Sequence, residues 1–542
     1  MGTFGHLATN ATAMVGVSYL GAALATQATS RFALSPAARL EHRPKRSLGR
    51  IIADQALRLS IISYIFSLFF AISWRPIYSL LATISFFVIF TGISRAKFNF
   101  IREPLIFTDL ALVFDVLKYK DIFYADWLNS LFWISAFLYI FGASALVMWL
   151  EPTLLPNEHA QFIYALGLGA WFLPLVLISW RPLRVLVCKL CRLAVGSHEL
   201  RGNILRFGTF EYLVLNFLMW FGTVRVAFID DLDYALQEFF DLQDSAPPLV
   251  VIWQSESFLD MRRLGVDSVS LPNLDALRQR AARWGLLRNV FEGGYTMRTE
   301  FSVLSGLRPE ALGLDGSYPY LRADMFGEIA WPTRLRNAGW RTHFIHPYGR
   351  TFFRRHRAIP QLGFSRMTML EDFNHEASSN APYVSDRALA QRVADICKND
   401  SPTDPTFLFV ASMGNHGPWH QGRIADATGP IDVYCRLLEE ADAALGELAR
   451  QLDTLQRPVW LVFYGDHAPL LKDFADPFPD PRTDYLIVPL AGAVKDIRLD
   501  NFKADINSWN LIDTLALLAG IRPGTQQKVP KAEPGTYPAP TT

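Results

Sequence analysis

The chain has 542 residues, of which 51% are hydrophobic and only 19% are charged. A chain of this length exceeds the usual size of one domain, which predicts at least two domains. Its 52 basic and 51 acidic residues leave a net charge of +1, which argues against a nucleic-acid partner. The four cysteines are too few to cross-link so long a chain, which excludes a disulfide scaffold.

Apolar residues concentrate in the first half of the chain, where five segments are long and hydrophobic enough to span a bilayer. The predicted spans are residues 57–74, 77–93, 131–150, 162–180 and 204–224. They predict a transmembrane domain of about five helices at residues 51–225, preceded by a cytoplasmic leader at residues 1–50. Residues 11–25 are weakly apolar, and a leader that does not span the membrane is favoured over a signal peptide there.

The charges of the loops predict the orientation of these spans. Lysine and arginine cluster before the first span, between the second and third, and between the fourth and fifth. The positive-inside rule assigns these stretches to the cytoplasm. Five spans that start from a cytoplasmic N-terminus place the rest of the chain outside the cytoplasmic membrane.

The second half of the chain has the texture of an α/β domain. After an acidic linker at residues 226–247, short apolar runs alternate with longer amphipathic segments over residues 248–525, and a tail follows at residues 526–542. This alternation predicts an extracytoplasmic α/β domain with a largely parallel central sheet. The predicted strands are residues 249–253, 286–290, 342–345, 407–411 and 460–464.

Polar side chains that suit catalysis follow each predicted strand. They are Glu256, Thr296, His346, His416, and the adjacent pair Asp466 and His467. Because open parallel sheets bind ligands beyond the carboxyl ends of their strands, we expect these residues along one edge of the sheet.

The residue types predict a metal site with a nucleophile. Glu256, Asp466 and His467 offer two carboxylates and an imidazole, a set that suits Mn²⁺ or Zn²⁺. Thr296 opens a helix-like segment, and a hydroxyl beside a metal can act as a nucleophile, which predicts a phosphothreonine intermediate. Taken singly, these residues also have structural interpretations, such as Thr296 as a helix N-cap and Glu256 as the partner of an arginine.

In their order along the chain, these motifs resemble those of the lipoteichoic acid synthase family. The matching residues are Glu256-Ser257-Phe258, Tyr295-Thr296 with Glu300-Phe301, His346, Phe353, Arg355, Asn415-His416 and Tyr464-Gly465-Asp466-His467. That family comprises bacterial polyglycerolphosphate transferases of the alkaline phosphatase and sulfatase superfamily, with five spans before the catalytic domain. The Cys-x-Pro-x-Arg signature of sulfatases is absent after the second predicted strand, which argues against sulfate ester hydrolysis.

The resemblance implies roles for individual residues. One divalent metal, Mn²⁺ first and Zn²⁺ or Mg²⁺ as alternatives, would be held by Glu256, Thr296, Asp466 and His467. Thr296 would take the phosphoglycerol group from phosphatidylglycerol and release diacylglycerol. The substrate phosphate and glycerol would be bound by His346, Arg355 and His416.

Two departures from the family pattern bear on the substrate site. Phe353 stands where the synthases typically carry tryptophan, and Arg298 adds a cation beside the nucleophile. Arg298 is expected either to hold a second phosphate or a different acceptor, or to pair with Glu300. Whether Cys397 and Cys435 form a disulfide is left open by the sequence.

The leading hypothesis is a phosphoglycerol transferase of the bacterial cytoplasmic (inner) membrane, whose catalytic domain faces the periplasm or the cell exterior. Its partners would be a phospholipid donor, the membrane itself and a lipid or glycan acceptor. A phosphoethanolamine transferase and a tethered phosphodiesterase or phospholipid hydrolase are the alternatives, and an inert binding protein of the same fold is the non-enzyme hypothesis.

Overall fold

The computed structural model describes residues 2–36, 46–101, 103–118, 130–155, 160–196, 199–223, 246–288, 295–378, 380–475, 478–493 and 501–521. The chain forms two compact units, Met1–Val224 and Arg225–Thr542. Most of the predicted linker and the whole predicted tail lie outside the described residues, as does the segment that directly precedes Tyr295.

The first unit is helical, as its hydrophobic segments predict. Its α-helices are α1 (Gly2–Thr29), α2 (Leu48–Ser73), α3 (Pro76–Ile101), α4 (Val113–Lys118), α5 (Ser130–Phe137), α6 (Ala143–Leu150), α7 (Ala160–Leu177), α8 (Arg181–Val195), α9 (Leu200–Phe207) and α10 (Thr209–Gly222). Four helical segments are long and apolar enough to cross a membrane: Leu48–Ser73, Pro76–Asn99, Trp133–Leu150 and Ala160–Leu177. The chain is therefore a membrane protein with four to five candidate spans.

The predicted fifth span, residues 204–224, is not a straight helix. It is broken at Gly208, which has a φ of +94°, and the helices α9 and α10 meet at an angle of 118°. Buried ion pairs tie both sides of the break to α2: Arg206 binds Asp54 at 2.9 Å, and Glu211 binds Arg58 at 3.0 Å. A charged side chain inside a membrane protein needs such a partner, and these pairs hold the segment bent.

Residues of the predicted leader form the 28-residue helix α1. Its Tyr19 hydroxyl accepts a hydrogen bond from Ser63 of α2 at 2.8 Å. Its Gly21 lies against Leu80 of α3, so close that an added Cβ would stand 3.3 Å from the leucine side chain. Helix α1 is thus part of the packed helical unit.

The second unit is built on a nine-stranded sheet. Its strands are β1 (Leu249–Ser255), β2 (Arg283–Arg288), β3 (Arg341–Ile345), β4 (Arg366–Thr368), β5 (Thr406–Ala411), β6 (Val459–Gly465), β7 (Thr483–Leu490), β8 (Phe502–Lys503) and β9 (Ile506–Asn507). The order is β4-β3-β5-β1-β6-β7-β2-β8, with β9 pairing with β2. The pairs from β4 to β6 are parallel, so the predicted α/β class with a largely parallel sheet is confirmed.

The position of β2 differs from the prediction. The strand begins at Arg283, before the predicted range 286–290, and overlaps that range up to Arg288, while residues 289 and 290 lie outside the described residues. It pairs with β7, a strand that the hydrophobic runs did not reveal. Strand β7 is antiparallel to both β6 and β2. Strand β2 consequently runs in the same direction as β1 and β6, and its carboxyl end lies at the same edge of the sheet.

Helices cover the sheet and complete the core. The α-helices of this unit are α11 (Pro272–Arg280), α12 (Thr296–Ser305), α13 (Pro309–Leu312), α14 (Trp331–Asn337), α15 (Arg355–Gln361), α16 (Asp386–Lys398), α17 (Pro430–Asp453) and α18 (Leu511–Ala519). One core cluster joins α11, α16 and α17 to the central strands, and the side chains of β1, β5 and β6 are buried along their whole lengths. Such strands are typical of a parallel sheet that is covered on both faces.

Two glycines with positive φ allow a test of this packing. Gly363 has a φ of +103°, and a Cβ there would lie 2.3 Å from the backbone nitrogen of Thr333, whereas Gly265 has a φ of +88° and open space around it. Gly265→Ala is expected to cost about 1–2 kcal/mol, the price of a left-handed residue. Gly363→Ala adds steric overlap and is expected to cost about 1–3 kcal/mol more. Unfolding of the detergent-purified chain checks this, and equal losses would contradict the packing described for Gly363.

Candidate metal centre

Adjacent strand ends bring the predicted metal ligands together. Strands β1 and β6 are parallel neighbours, with Ser255 paired to Gly465, so Glu256 and Asp466 follow side by side. Glu256, Asp466 and His467 are all buried, and each offers one ligand atom within 4.8 Å of the others. The parallel register therefore builds the cluster from residues that are about two hundred positions apart.

Ser257 holds the two carboxylates in place. Its backbone N–H donates to Asp466 Oδ1 at 2.7 Å, and its hydroxyl donates to Glu256 Oε1 at 2.8 Å. The residue has a φ of +50°, an unfavourable conformation for serine, and Tyr434 donates to its carbonyl oxygen at 2.7 Å. Strain of this kind persists where the surroundings enforce it, often at functional sites. The strand-end pattern did not assign Ser257 a role.

The donor atoms fit a divalent cation. Asp466 Oδ2 is buried and has no hydrogen-bond partner among the described residues. The Nδ1 of His467 lies 2.9 Å from the carbonyl oxygen of Ala468 and donates a hydrogen bond to it, which leaves Nε2 as the ring nitrogen that would bind a cation. That Nε2 lies 3.4 Å from both Asp466 Oδ2 and Glu256 Oε1. Two carboxylates and an imidazole aimed at one point suit Mn²⁺ or Zn²⁺.

The negative charge of the two carboxylates in the cluster also favours a bound cation. Burial, together with the nearby Glu256 carboxylate, raises the pKa of Asp466 to about 7. Burial works against a charged His467, yet the two carboxylates prevail and raise its pKa to about 10. Both shifts have one cause, which is negative charge concentrated in a region that water does not reach. A divalent cation in this position would relieve that repulsion.

Thr296 lies beside the cluster at the start of a helix. It is the first residue of α12, its side chain is largely buried, and its hydroxyl donates to Glu256 Oε2 at 3.3 Å. The N-terminus of a helix carries partial positive charge and free N–H groups, which favour an anion there. The hydroxyl is thus placed where it can meet both a cation and a phosphate.

A buried ion pair stands one helical turn behind Thr296. Glu300 accepts two hydrogen bonds from Arg355, at 3.1 Å to Oε1 and 3.0 Å to Oε2, and the two side chains are 0% and 1% exposed. Tyr320 donates a further hydrogen bond to Glu300. Glu300 is thus paired with the buried Arg355, a partner that the sequence did not predict.

His346 supports the same arginine. Its Nε2 lies 3.1 Å from Arg355 Nη1, and its Nδ1 lies 3.0 Å from the carbonyl oxygen of Ala411. Burial and the neighbouring guanidinium lower the pKa of His346 well below its ordinary value, so the ring is neutral, with the proton on Nδ1. Three of the five N–H groups of Arg355 are used by Glu300 and His346. Both ring nitrogens of His346 are engaged by the protein, so it positions Arg355.

Two of the other predicted substrate residues, Arg298 and Phe353, pack against Tyr295, which precedes Thr296. Arg298 donates to the carbonyl oxygen of Ser317 at 2.9 Å, and its guanidinium lies 4.5 Å from the centre of the Tyr295 ring. Phe353, with a left-handed φ of +51°, packs edge-on against Tyr295 at 6.3 Å. The ring of His416 lies near Tyr383, with its Nδ1 2.7 Å from the carbonyl oxygen of Gly417.

A second buried carboxyl group supports the cluster from behind. The Ser412 hydroxyl accepts a hydrogen bond from the backbone N–H of Glu256 at 3.1 Å and donates one to Asp386 Oδ2 at 3.4 Å. Burial raises the pKa of Asp386 to about 7. No strand-end pattern pointed to Asp386, because it lies in the first turn of α16 and far from any run of apolar residues.

The cysteines take no part in the centre. Cys397 and Cys435 are free and buried, which answers the question that the sequence left open, and Cys188 and Cys191 are also free thiols. The site therefore has a threonine, and no cysteine, beside its metal ligands.

Comparison with known proteins agrees with this geometry. The model of the sulfatase family matches residues 248–521, and the chain therefore belongs to that family. It is 51% identical over 489 residues to the capsular polysaccharide biosynthesis protein RkpI of Rhizobium meliloti (strain 1021), covering 90% of this chain and 91% of the relative. The resemblance to the superfamily is thus confirmed, while this full-length relative carries the name of a capsule protein and not of a lipoteichoic acid synthase.

Two solved structures are among those similar to the chain. The phosphoglycerol transferase GacH of Streptococcus pyogenes is 24% identical, with a TM-score of 0.40 over 51% of this chain and 76% of its own. The lipoteichoic acid synthase LtaP of Listeria monocytogenes is 19% identical, with a TM-score of 0.40 over 50% of this chain and 72% of its own.

The metal centre makes a prediction about metal content. Protein purified without chelator is expected to carry about one divalent ion per chain, as one such ligand set binds one ion. Asp466→Asn removes a ligand oxygen and should abolish this content in elemental analysis by mass spectrometry. Asp442→Asn is the matched control, since it changes a buried carboxyl group whose hydrogen bonds run to Asn273 and Leu274, away from the cluster. Equal metal content in all three proteins would contradict the assignment.

The buried ion pair makes a prediction about stability. Arg355→Met leaves Glu300 charged, buried and uncompensated, and should lower the free energy of unfolding by about 3–5 kcal/mol. Arg450→Met breaks a pair with Glu447 whose side chains are 64% and 44% exposed, and should cost less than about 1 kcal/mol. Chemical unfolding of the detergent-purified chain measures both, and a small loss for Arg355→Met would show that Glu300 finds another partner.

Proposed function

We propose that the protein is a membrane-bound phosphoglycerol transferase, which moves the glycerol-phosphate head group of phosphatidylglycerol to an acceptor outside the cytoplasmic membrane. One observation carries this proposal. The Thr296 hydroxyl stands at the N-terminus of α12 and 3.3 Å from Glu256, within a cluster of buried metal-ligating side chains. A hydroxyl in this position is suited to attack a phosphate ester.

The reaction would proceed in two displacements. In the first, Thr296 Oγ1 loses its proton and forms a bond to phosphorus, the bond between phosphorus and the diacylglycerol oxygen breaks, and that oxygen takes up a proton to give diacylglycerol. In the second, an acceptor hydroxyl loses its proton and displaces Thr296 from phosphorus, and the threonine oxygen takes up a proton again. A divalent ion held by Glu256, Asp466 and His467 would lower the pKa of the threonine hydroxyl and would neutralise charge on the phosphoryl group. We expect this ion to be Mn²⁺.

The surrounding residues would bind the head group. Arg355 keeps two N–H groups beyond those used by Glu300 and His346, and with His416 it is our candidate for contacts to phosphate and glycerol. Phe353 and Tyr295 form an aromatic surface beside the nucleophile, with Arg298 packed on it. Rigid aromatic and buried charged groups of this kind favour one orientation of a small polar ligand.

The residues of the centre support transfer of a phosphate-containing group over sulfate ester hydrolysis. Our candidate nucleophile is Thr296, which lies beside the cluster, and the four cysteines lie outside the cluster as free, buried thiols. The relative RkpI, which aligns along nearly the whole chain, is named for capsular polysaccharide biosynthesis. We therefore propose a glycan of the cell envelope as the acceptor.

The covalent step can be observed directly. Full-length protein in detergent, incubated with Mn²⁺ and phosphatidylglycerol, should gain a phosphoglycerol-sized mass on the peptide that contains Thr296. Thr296→Ala should lose the adduct and the release of diacylglycerol, a loss of several orders of magnitude for a nucleophile. Thr299→Ala, a buried threonine on the same helix, is the control and should retain both.

The other outcomes separate the alternatives. A phosphoethanolamine-sized adduct, formed only with phosphatidylethanolamine, would keep the nucleophile and change the donor. Release of diacylglycerol without any adduct, and without dependence on an acceptor, would indicate a hydrolase. Full turnover by Thr296→Ala would overturn the assignment of the nucleophile.

A further inference from the structure

Helix α8 lies along one face of the helical unit and does not cross it. Helices α2 and α7 are antiparallel, since the Tyr64 hydroxyl of α2 donates to the carbonyl oxygen of Trp171, 2.8 Å away, and Tyr164 donates to that of Ile72. The first turn of α2 and the last turn of α7 thus lie toward the same end of the helical unit, which is called its face below. Helix α8 starts at Arg181, directly after the turn that ends α7.

The far end of α8 returns to this same face. Arg50, in the first turn of α2, donates through Nη2 to the carbonyl oxygens of Leu193, at 3.1 Å, and Ala194. Both ends of the 15-residue helix therefore lie toward the end of the helical unit at which α7 ends, so the helix runs along that end and does not return across the unit. Helix α8 is about 22 Å long. It lies at the end of the candidate span α7, where that span would leave the apolar layer of the membrane.

One side of α8 packs on the protein. Cys188, Cys191 and Val195 are buried, and Cys188 donates through Sγ to the carbonyl oxygen of Met219 in α10 at 3.3 Å. Gly222 of α10 lies so close that an added Cβ would stand 2.3 Å from Cys188 Cβ. This contact fixes the rotation of α8 about its axis and so determines which residues face outward.

The outward side is apolar and flanked by cations. Leu186, Leu190 and Leu193 are 52%, 56% and 72% exposed, and they follow one another at the spacing of a helix face. Lys189 is exposed beside the leucines, Arg181 is exposed at the first residue of the helix, and the sequence of α8 contains no acidic residue. An exposed apolar stripe on a helix parallel to a membrane face, with basic residues beside it, is the pattern of an interfacial helix.

We propose that the α8 face formed by Leu186, Leu190 and Leu193, with Arg181 and Lys189, is a binding surface for anionic phospholipid. The leucines would enter the acyl boundary of the leaflet that adjoins the last turn of α7, and the two cations would contact negatively charged head groups. This surface belongs to the helical unit and is independent of the metal centre and of the lipid donor.

Site-specific fluorescence quenching tests the proposal. Leu190→Cys provides a selective label position, because the four native cysteines are at most 7% exposed. The full chain, labelled with bimane, is placed in phosphatidylcholine nanodiscs that contain equal fractions of brominated phosphatidylcholine or brominated phosphatidylserine. Phosphatidylserine is anionic and is not the proposed donor, so the result does not depend on turnover.

Quenching is expected with both brominated lipids, and about fivefold more effectively with phosphatidylserine, since a cation near the surface contributes about that factor. The double variant Arg181→Gln/Lys189→Gln should keep the quenching and lose the preference. Arg336→Gln/Lys398→Gln, which removes two exposed cations from the other unit, should retain it. Equal quenching by the two lipids in the parent protein would overturn the head-group selectivity. Absence of quenching would show that protein, such as a second copy of the chain, covers this face.

Discussion

Two carboxylates, Glu256 and Asp466, lie next to each other in the interior because β1 and β6 are parallel neighbours in register. Like charges at this distance repel strongly where water is excluded, and one of two outcomes must follow: a raised pKa or a bound cation. Asp466 shows the first outcome in the protein alone, and its unsatisfied Oδ2 shows where the second would act. Ser257 and Thr296 donate hydrogen bonds to this pair, and the pair raises the pKa of His467.

Much of this centre is predictable from the sequence, for a geometric reason. The carboxyl ends of parallel strands share one edge, so a polar residue after each apolar run is enough to propose a site without any knowledge of the packing. That argument succeeds for Glu256, Asp466 and His467. It also holds for Thr296, although β2 lies on the far side of β7, because two antiparallel pairings restore its direction. The metal ion itself and the roles of the substrate residues stay predictions.

What the sequence did not reveal depends on contacts between distant segments. The pairing of Glu300 with Arg355 arises because α12 and α15 meet in space, and nothing in either segment indicates it. The same limit applies to the bend at Gly208. Hydropathy alone describes residues 204–224 as one span, whereas the buried pairs of Arg206 and Glu211 with α2 fold the segment back on itself. Buried charges of this kind cost stability unless they are paired, so they specify an arrangement more than they strengthen it.

The spacing of Thr296 and Glu300 on α12 limits which insertions and deletions this segment can accept and how the site can be engineered. The two residues are one turn apart, so the nucleophile and the anchor of Arg355 share a helix face and move as one body. Deleting or inserting a single residue between them would rotate one against the other by about 100°. The segment therefore cannot change its length without separating the nucleophile from the anchor of Arg355. Transplanting the nucleophile into another scaffold requires carrying over the whole turn with its arginine.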